Sequence, residues 1–164
     1  ILKVPGKMLS TAESWWVKPP TASALEAGAL PPIFVKGLDI GYTHQGRVLH
    51  GRITEDPMFW ASPTLLLEDA FGDVVVVAVY NVLGADWPAT ELMFPRGREL
   101  AIREPFYKVR KDGTIGIRVE DPADIVDASL PTSSSSWREW GNTLFKASEF
   151  SDALRCYQAA LADP

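Results

Sequence analysis

At 164 residues, 46% hydrophobic and 23% charged, the chain has room and apolar content for one core-bearing domain plus a small annex, which excludes two large domains and global disorder. Its longest β-branched run, Val74 to Val77, is far shorter than the roughly 20 apolar residues that span a bilayer, so a membrane role is not expected. A net charge of −5 argues against a surface whose main task is neutralising a phosphate backbone, and a single cysteine, Cys156, excludes an internal disulfide framework and suits an intracellular compartment, cytoplasmic or nuclear.

The chain starts at Ile1 without a signal-peptide pattern and reads as an excised segment of a larger protein. Residues 1–38 carry five prolines (Pro5, Pro19, Pro20, Pro31, Pro32) and no sustained period, which predicts an extended arm. Trp15 and Trp16 give that arm apolar surface to lay on the body.

Residues 39–128 read as the body. Arg47, Leu49, Gly51 and Ile53 alternate with Val48, His50, Arg52 and Thr54, a first strand that a glycine bends. Thr64 to Leu67 and Val74 to Tyr80, joined by Glu68-Asp69-Ala70-Phe71-Gly72-Asp73, read as a hairpin. Gly84, Pro88, Pro95 and Gly97 bracket Ala89 to Phe94, which leaves room for a short helix. Leu100 and Ile102 predict a fourth strand ending at an edge or bulge by Pro105, and Asp112-Gly113 turns the chain into a fifth over Ile115 to Val119. Five antiparallel strands with a helical insert between the third and fourth predict an OB-like barrel in an α+β chain, with an SH3-like barrel as runner-up.

Ser129 to Ser136 is a serine-rich linker that also supplies an N-cap, and residues 137–164 then carry a helical pair. Trp137, Trp140, Gly141, Leu144, Ala153 and Tyr157 follow the order and spacing of a tetratricopeptide repeat, with Trp140, Leu144 and Tyr157 replacing its leucine, tyrosine and phenylalanine and Pro164 one residue early; its two small residues let the helices approach closely. One such unit cannot bury its own stripe, so either more repeats follow Pro164 in the parent or the pair docks on the barrel, and a protein partner is expected for the longer molecule.

Templates for chemistry are missing. There is no Gly-x-Ser-x-Gly elbow, phosphate loop, dinucleotide fingerprint or Cys-x-x-Cys, so no catalytic residue, cofactor or metal is assigned. His44 and His50 read as loop and strand-surface residues, Cys156 as a buried inert thiol, and Glu68, Asp69 and Asp73 as a solvated hairpin tip. From Arg96 to Arg118 seven basic side chains face three acidic ones, a local excess of four positive charges. Arg103, Lys108, Arg110 and Arg118, with the aromatic Trp60 and Tyr80, are the candidate face for an anion or a single-stranded nucleic acid. Against that stands the whole body, His44 to Asp121, with twelve acidic and nine basic side chains.

Several runs resemble a known family. Gly46-Arg47-Val48-Leu49-His50-Gly51-Arg52-Ile53, Thr64-Leu65-Leu66-Leu67-Glu68-Asp69, Gly72-Asp73-Val74 and Ala78-Val79-Tyr80-Asn81 are similar to the region before the repeats in fungal proteins that join tetratricopeptide repeats to a SET domain. Leu100-Ala101-Ile102-Arg103-Glu104-Pro105-Phe106-Tyr107-Lys108 and Ile117-Arg118-Val119-Glu120-Asp121-Pro122-Ala123-Asp124-Ile125-Val126 extend the likeness, which covers residues 44–164. The resemblance implies a parent whose SET domain uses S-adenosylmethionine to methylate protein lysine. None of that domain's motifs lies in these residues. The expectation is therefore a noncatalytic interaction or scaffold segment, with the accessory region of a SET methyltransferase as first alternative and a nucleic-acid-binding barrel as second.

Overall fold

The computed structural model describes residues 30–84 and 86–163. The arm's tryptophans, Trp15 and Trp16, and the closing Pro164 lie outside them. Nine strands and three helices follow in the order β1 (Tyr42–Thr43), β2 (Val48–Ile53), β3 (Met58–Phe59), β4 (Pro63–Glu68), β5 (Val74–Val79), α1 (Trp87–Met93), β6 (Glu99–Arg103), β7 (Phe106–Val109), β8 (Ile115–Val119), β9 (Ile125–Asp127), α2 (Ser134–Lys146) and α3 (Phe150–Ala162). Among the described residues no helix is long and apolar enough to cross a membrane.

The strands form one open sheet in the order β1-β7-β8-β5-β4-β2-β6-β9, with β3 paired to β4 off that path. This corrects the expected five-stranded antiparallel OB-like barrel: nine strands make one sheet whose ends, β1 and β9, do not meet. Its middle is also not purely antiparallel, because Val77, Ala78 and Val79 of β5 run parallel to Ile117, Arg118 and Val119 of β8. A parallel pairing needs a long crossover, and the segment holding α1, β6 and β7 provides it.

Local chemistry explains the elements. The β4–β5 turn is closed by Asp69, whose Oδ1 accepts from the backbone N–H groups of Phe71 and Asp73 at 2.9 and 3.0 Å. Its Oδ2 accepts from Val35 N–H at 2.9 Å, so this carboxylate fastens residue 35 to the hairpin instead of standing in solvent. Asp86 caps α1 by accepting from Ala89 N–H, with Pro88 in the first turn. Ser133 and Ser136 form a reciprocal capping box for α2. Between α2 and α3, Ser148 takes φ 62°, the left-handed residue that ends a helix.

Two cores result. Beneath the sheet, Leu49, Ile53, Leu65, Leu67, Val77 and Leu100 pack with Ile33, Leu38 and Phe94. Gly51 of β2 is small of necessity, since a Cβ there would stand 2.5 Å from Leu67 Cγ and 2.8 Å from Glu68 O. The second core lies between the sheet and the helix pair: Phe34, Leu144, Ala153 and Cys156 are buried, with Phe71, Trp137, Trp140 and Tyr157 packed against them.

That second core also corrects the tetratricopeptide reading. Among the described residues α2 and α3 pack on each other, and their aromatic face closes on Phe34 and Phe71 of the sheet body, so the layout of a five-stranded barrel followed by a repeat hairpin is overturned. The small residues keep their local role: a Cβ on Gly141 would sit 2.5 Å from the Tyr157 ring.

Candidate functional site

A concave feature furnished with polar groups lies where β6 passes into β7. Pro105 cannot extend the ladder, and Glu104 before it takes φ 49°, a left-handed conformation uncommon for a residue with a long side chain. The kink is fixed from several sides. Glu104 N–H donates to Arg47 O at 2.8 Å and its Oε1 accepts from Gly46 N–H at 3.1 Å. His44 closes the next position, hydrogen-bonding Pro105 O through Nδ1 at 2.9 Å while Nε2 accepts from Asp39 N–H at 2.9 Å. With both ring nitrogens engaged, His44 is a brace of the bulge.

The cleft beside this kink is walled by Thr43, Arg103, Glu104 and Arg118, with Glu120 and Asp124 completing its polar lining. Its free space is about 20 Å³, room for about one water-sized group. Arg103 donates to Ala123 O at 2.6 Å and approaches Asp124 to 3.9 Å. Arg118 pairs with Glu120 and lies 3.7 Å from the Tyr80 ring centroid. Asn81, itself at φ 58°, holds Glu120 by donating to its carbonyl and carboxylate. Glu104 is only 3% exposed, and its Oε2 has no hydrogen-bond partner among the described residues.

Of the candidate binding residues, the structure brings together Arg103, Arg118 and Tyr80. Lys108 lies on β7 with its ammonium 5.9 Å from the Phe106 ring centroid, and burial, followed by the positive charge of Arg118, lowers its pKa. Arg110 sits at the β7–β8 turn, 3.7 Å from Asp112. Trp60 stands apart: it follows β3 beside β4, 75% exposed, two strands away from β8. The basic stripe is thus largely matched by local carboxylates.

The six repeat-motif residues assemble as a helix joint. Trp137 and Trp140 meet edge-on at 5.9 Å, Trp137 reaches Phe71 at 5.2 Å, and Trp140 reaches His50 at 4.8 Å. His50 is therefore a buried residue of β2, 9% exposed, and not a strand-surface group. Its Nδ1 has no partner, and burial lowers its pKa to about 4. Cys156 is wholly buried in the same joint, which pushes its thiol up to about 12 and leaves it without thiolate reactivity at neutral pH.

Sequence reasoning missed Glu104, Asp124 and Thr43, the residues that turn two arginines into a cleft. The one available signal was Pro105 after a charged pair, which marks a bulge but not which side chain it buries.

No family model matches the chain. A protein described as "Methyltransferase" from Gibberella zeae (strain ATCC MYA-4620 / CBS 123657 / FGSC 9075 / NRRL 31084 / PH-1) is 26% identical over 154 residues, which cover 84% of this chain and 21% of that protein. The chain thus spans about a fifth of the length of the relative it matches. The expectation of a noncatalytic scaffold segment is overturned by this likeness, since most of the chain is similar to part of a protein named for an enzymatic activity.

Proposed function

We propose that this chain is a working part of a methyltransferase, of the SET class that transfers the methyl group of S-adenosylmethionine to lysine of a protein. The observation that carries the reading is the 26% identity to a methyltransferase along 84% of the chain. Its direction agrees with the resemblance of residues 44–164 to the region preceding the repeats in SET-domain proteins. The cleft itself does not fit the methyl donor: about 20 Å³ holds about one water-sized group, far less than a nucleoside with an amino-acid tail. No step of methyl transfer is therefore routed through this cleft.

The test is methyl transfer by the full-length parent. With S-adenosylmethionine labelled in its methyl group and a lysine-rich protein acceptor, the expected result is label in methyl-lysine after acid hydrolysis. Replacing Gly51 by Val, which drives a side chain into Leu67 and Glu68 O, should reduce transfer by disordering the sheet. Absence of label in any acceptor, or label only in nucleic acid, overturns the proposal.

A further inference from the structure

We infer that the outward side of β3 and α1 is a docking surface for a lysine- or arginine-rich segment of a protein. That this protein is the methyl acceptor rests on the methyltransferase reading; the docking itself does not. β3 pairs with β4 off the main strand order, and α1 lies against it. Past the helix, Gly97 N–H donates to Ile53 O at 2.8 Å and Ile53 N–H to Arg98 O at 2.9 Å, which holds this end of α1 to the chain leading into β3. The inner face of α1 buries Thr90, with Met93 and Phe94 on the sheet's core. Its outer face carries Pro88 and Leu92, four residues apart, and Leu92 is 84% exposed. Trp60, just past β3, is 75% exposed, and Met58 and Trp87 are exposed as well. A lone apolar side chain in water needs no explanation, but two tryptophans, a leucine and a methionine on adjoining elements mark an interaction surface.

Charge selects the partner. Residues 54–61 and 83–97 hold four carboxylates, Glu55, Asp56, Asp86 and Glu91, and one guanidinium, Arg96. All four acidic residues are exposed, and Arg96 already faces Glu55 at 4.0 Å. Arg98, just past the helix, is turned to Met93 O and to Asp127. An apolar centre inside an acidic rim fits a partner that brings basic side chains around an apolar one. The tryptophan rings add a face on which a lysine or arginine cation can sit. A nucleic acid would set its phosphates against this rim. A second copy of the same face would set carboxylates against carboxylates, which opposes self-association here.

The test is a fluorescence-anisotropy titration of the full chain with a labelled peptide of repeated Lys-Leu-Gly-Ala units, and with its counterpart carrying glutamate for lysine. The inference expects saturable binding of the lysine peptide, weakened by added salt, and none of the glutamate peptide. Trp60→Ser with Leu92→Ser removes the apolar centre, and Asp56→Lys with Glu91→Lys inverts the rim. All four side chains are exposed, so each double variant should keep the melting temperature and lose at least about tenfold in affinity. In the full-length parent, Trp60→Ser with Leu92→Ser should raise KM for a lysine-rich acceptor by a similar factor and hold kcat. No saturable binding, equal binding of the glutamate peptide, or unchanged affinity in either folded variant overturns the docking surface. So does a dimer in sedimentation equilibrium that Trp60→Ser with Leu92→Ser dissolves, which would give the face to a second copy. Lost peptide binding with an unchanged KM overturns the acceptor assignment. A parent that transfers no methyl group overturns the methyltransferase reading and the acceptor assignment with it, while the peptide titration still decides the surface.

Discussion

Thirteen of the fourteen buried residues that make the sheet's core are aliphatic, from Ile33 to Val119, with Phe94 the one aromatic. The joint between sheet and helix pair is built the other way, from Phe34, Phe71, Trp137, Trp140 and Tyr157 around only four buried side chains. Aliphatic packing is dense and without polar demands, so it fixes the strands and tolerates no lost methylene. Aromatic rings carry large apolar area with preferred edge-on and tilted contacts, so the joint sets the angle at which the helices sit, and it can hold a polar ring such as His50. One further link crosses it, Arg47 donating to Glu149 at 3.0 Å and to Pro32 O at 2.6 Å.

The sharpest way to break the comparison is a cavity in each core. Leu65 is fully buried beneath the sheet, and Leu65→Ala should cost about 2–5 kcal/mol in urea unfolding, with sheet and helices lost together. A loss below about 1 kcal/mol would show that the sheet core yields as a loose core does.

The joint should respond to pH where the sheet does not. His50 in the folded chain has its pKa lowered from 6.5 to about 4, so between those values the unfolded chain binds the proton that the folded chain refuses. Stability is then fully present above pH 6.5 and declines as pH falls towards 4, by an amount on the order of 3 kcal/mol. Urea midpoints at pH 7 and 4.5 measure it, and His50→Gln should flatten this part of the slope. An unchanged slope in the variant would place the acid sensitivity elsewhere.

The smallest expected effect concerns the two helices alone. Gly141→Ala places a methyl group 2.5 Å from the Tyr157 ring, which is itself tied by its hydroxyl donating to Asn142 at 2.8 Å. Overpacking should cost about 1–3 kcal/mol, and Tyr157→Leu should recover part of it in a double-mutant cycle. Additive costs would mean that the ring does not set the helix spacing.

Much of the strand inventory was legible because period-two alternation and turn chemistry act over a few residues. Val48–Ile53, the Asp69–Asp73 turn and the Asp112-Gly113 hairpin all lie where those signals stand. β1, β3 and β9 are two or three residues long and carry no period, so nothing local announces them. The cleft was half legible: Arg103 and Arg118 stood out as members of a basic stripe, but their carboxylate partners lie just past β8 at Glu120 and on the turn at Pro122–Asp124. The helical motif misled for a related reason. Its spacing is real and makes two helices touch, but what their aromatic face packs against is not written in the spacing.

Local sequence by itself determined most of the elements: which residues alternate, which cap and which turn. Only the tertiary structure decided that the sheet stays open, that β5 runs parallel to β8, and that Glu104 is buried beside two arginines. The reason is range. Caps, turns and periodicity are set by neighbours a few residues apart, whereas pairing, closure and the company of a buried charge depend on contacts between distant segments that no local pattern encodes.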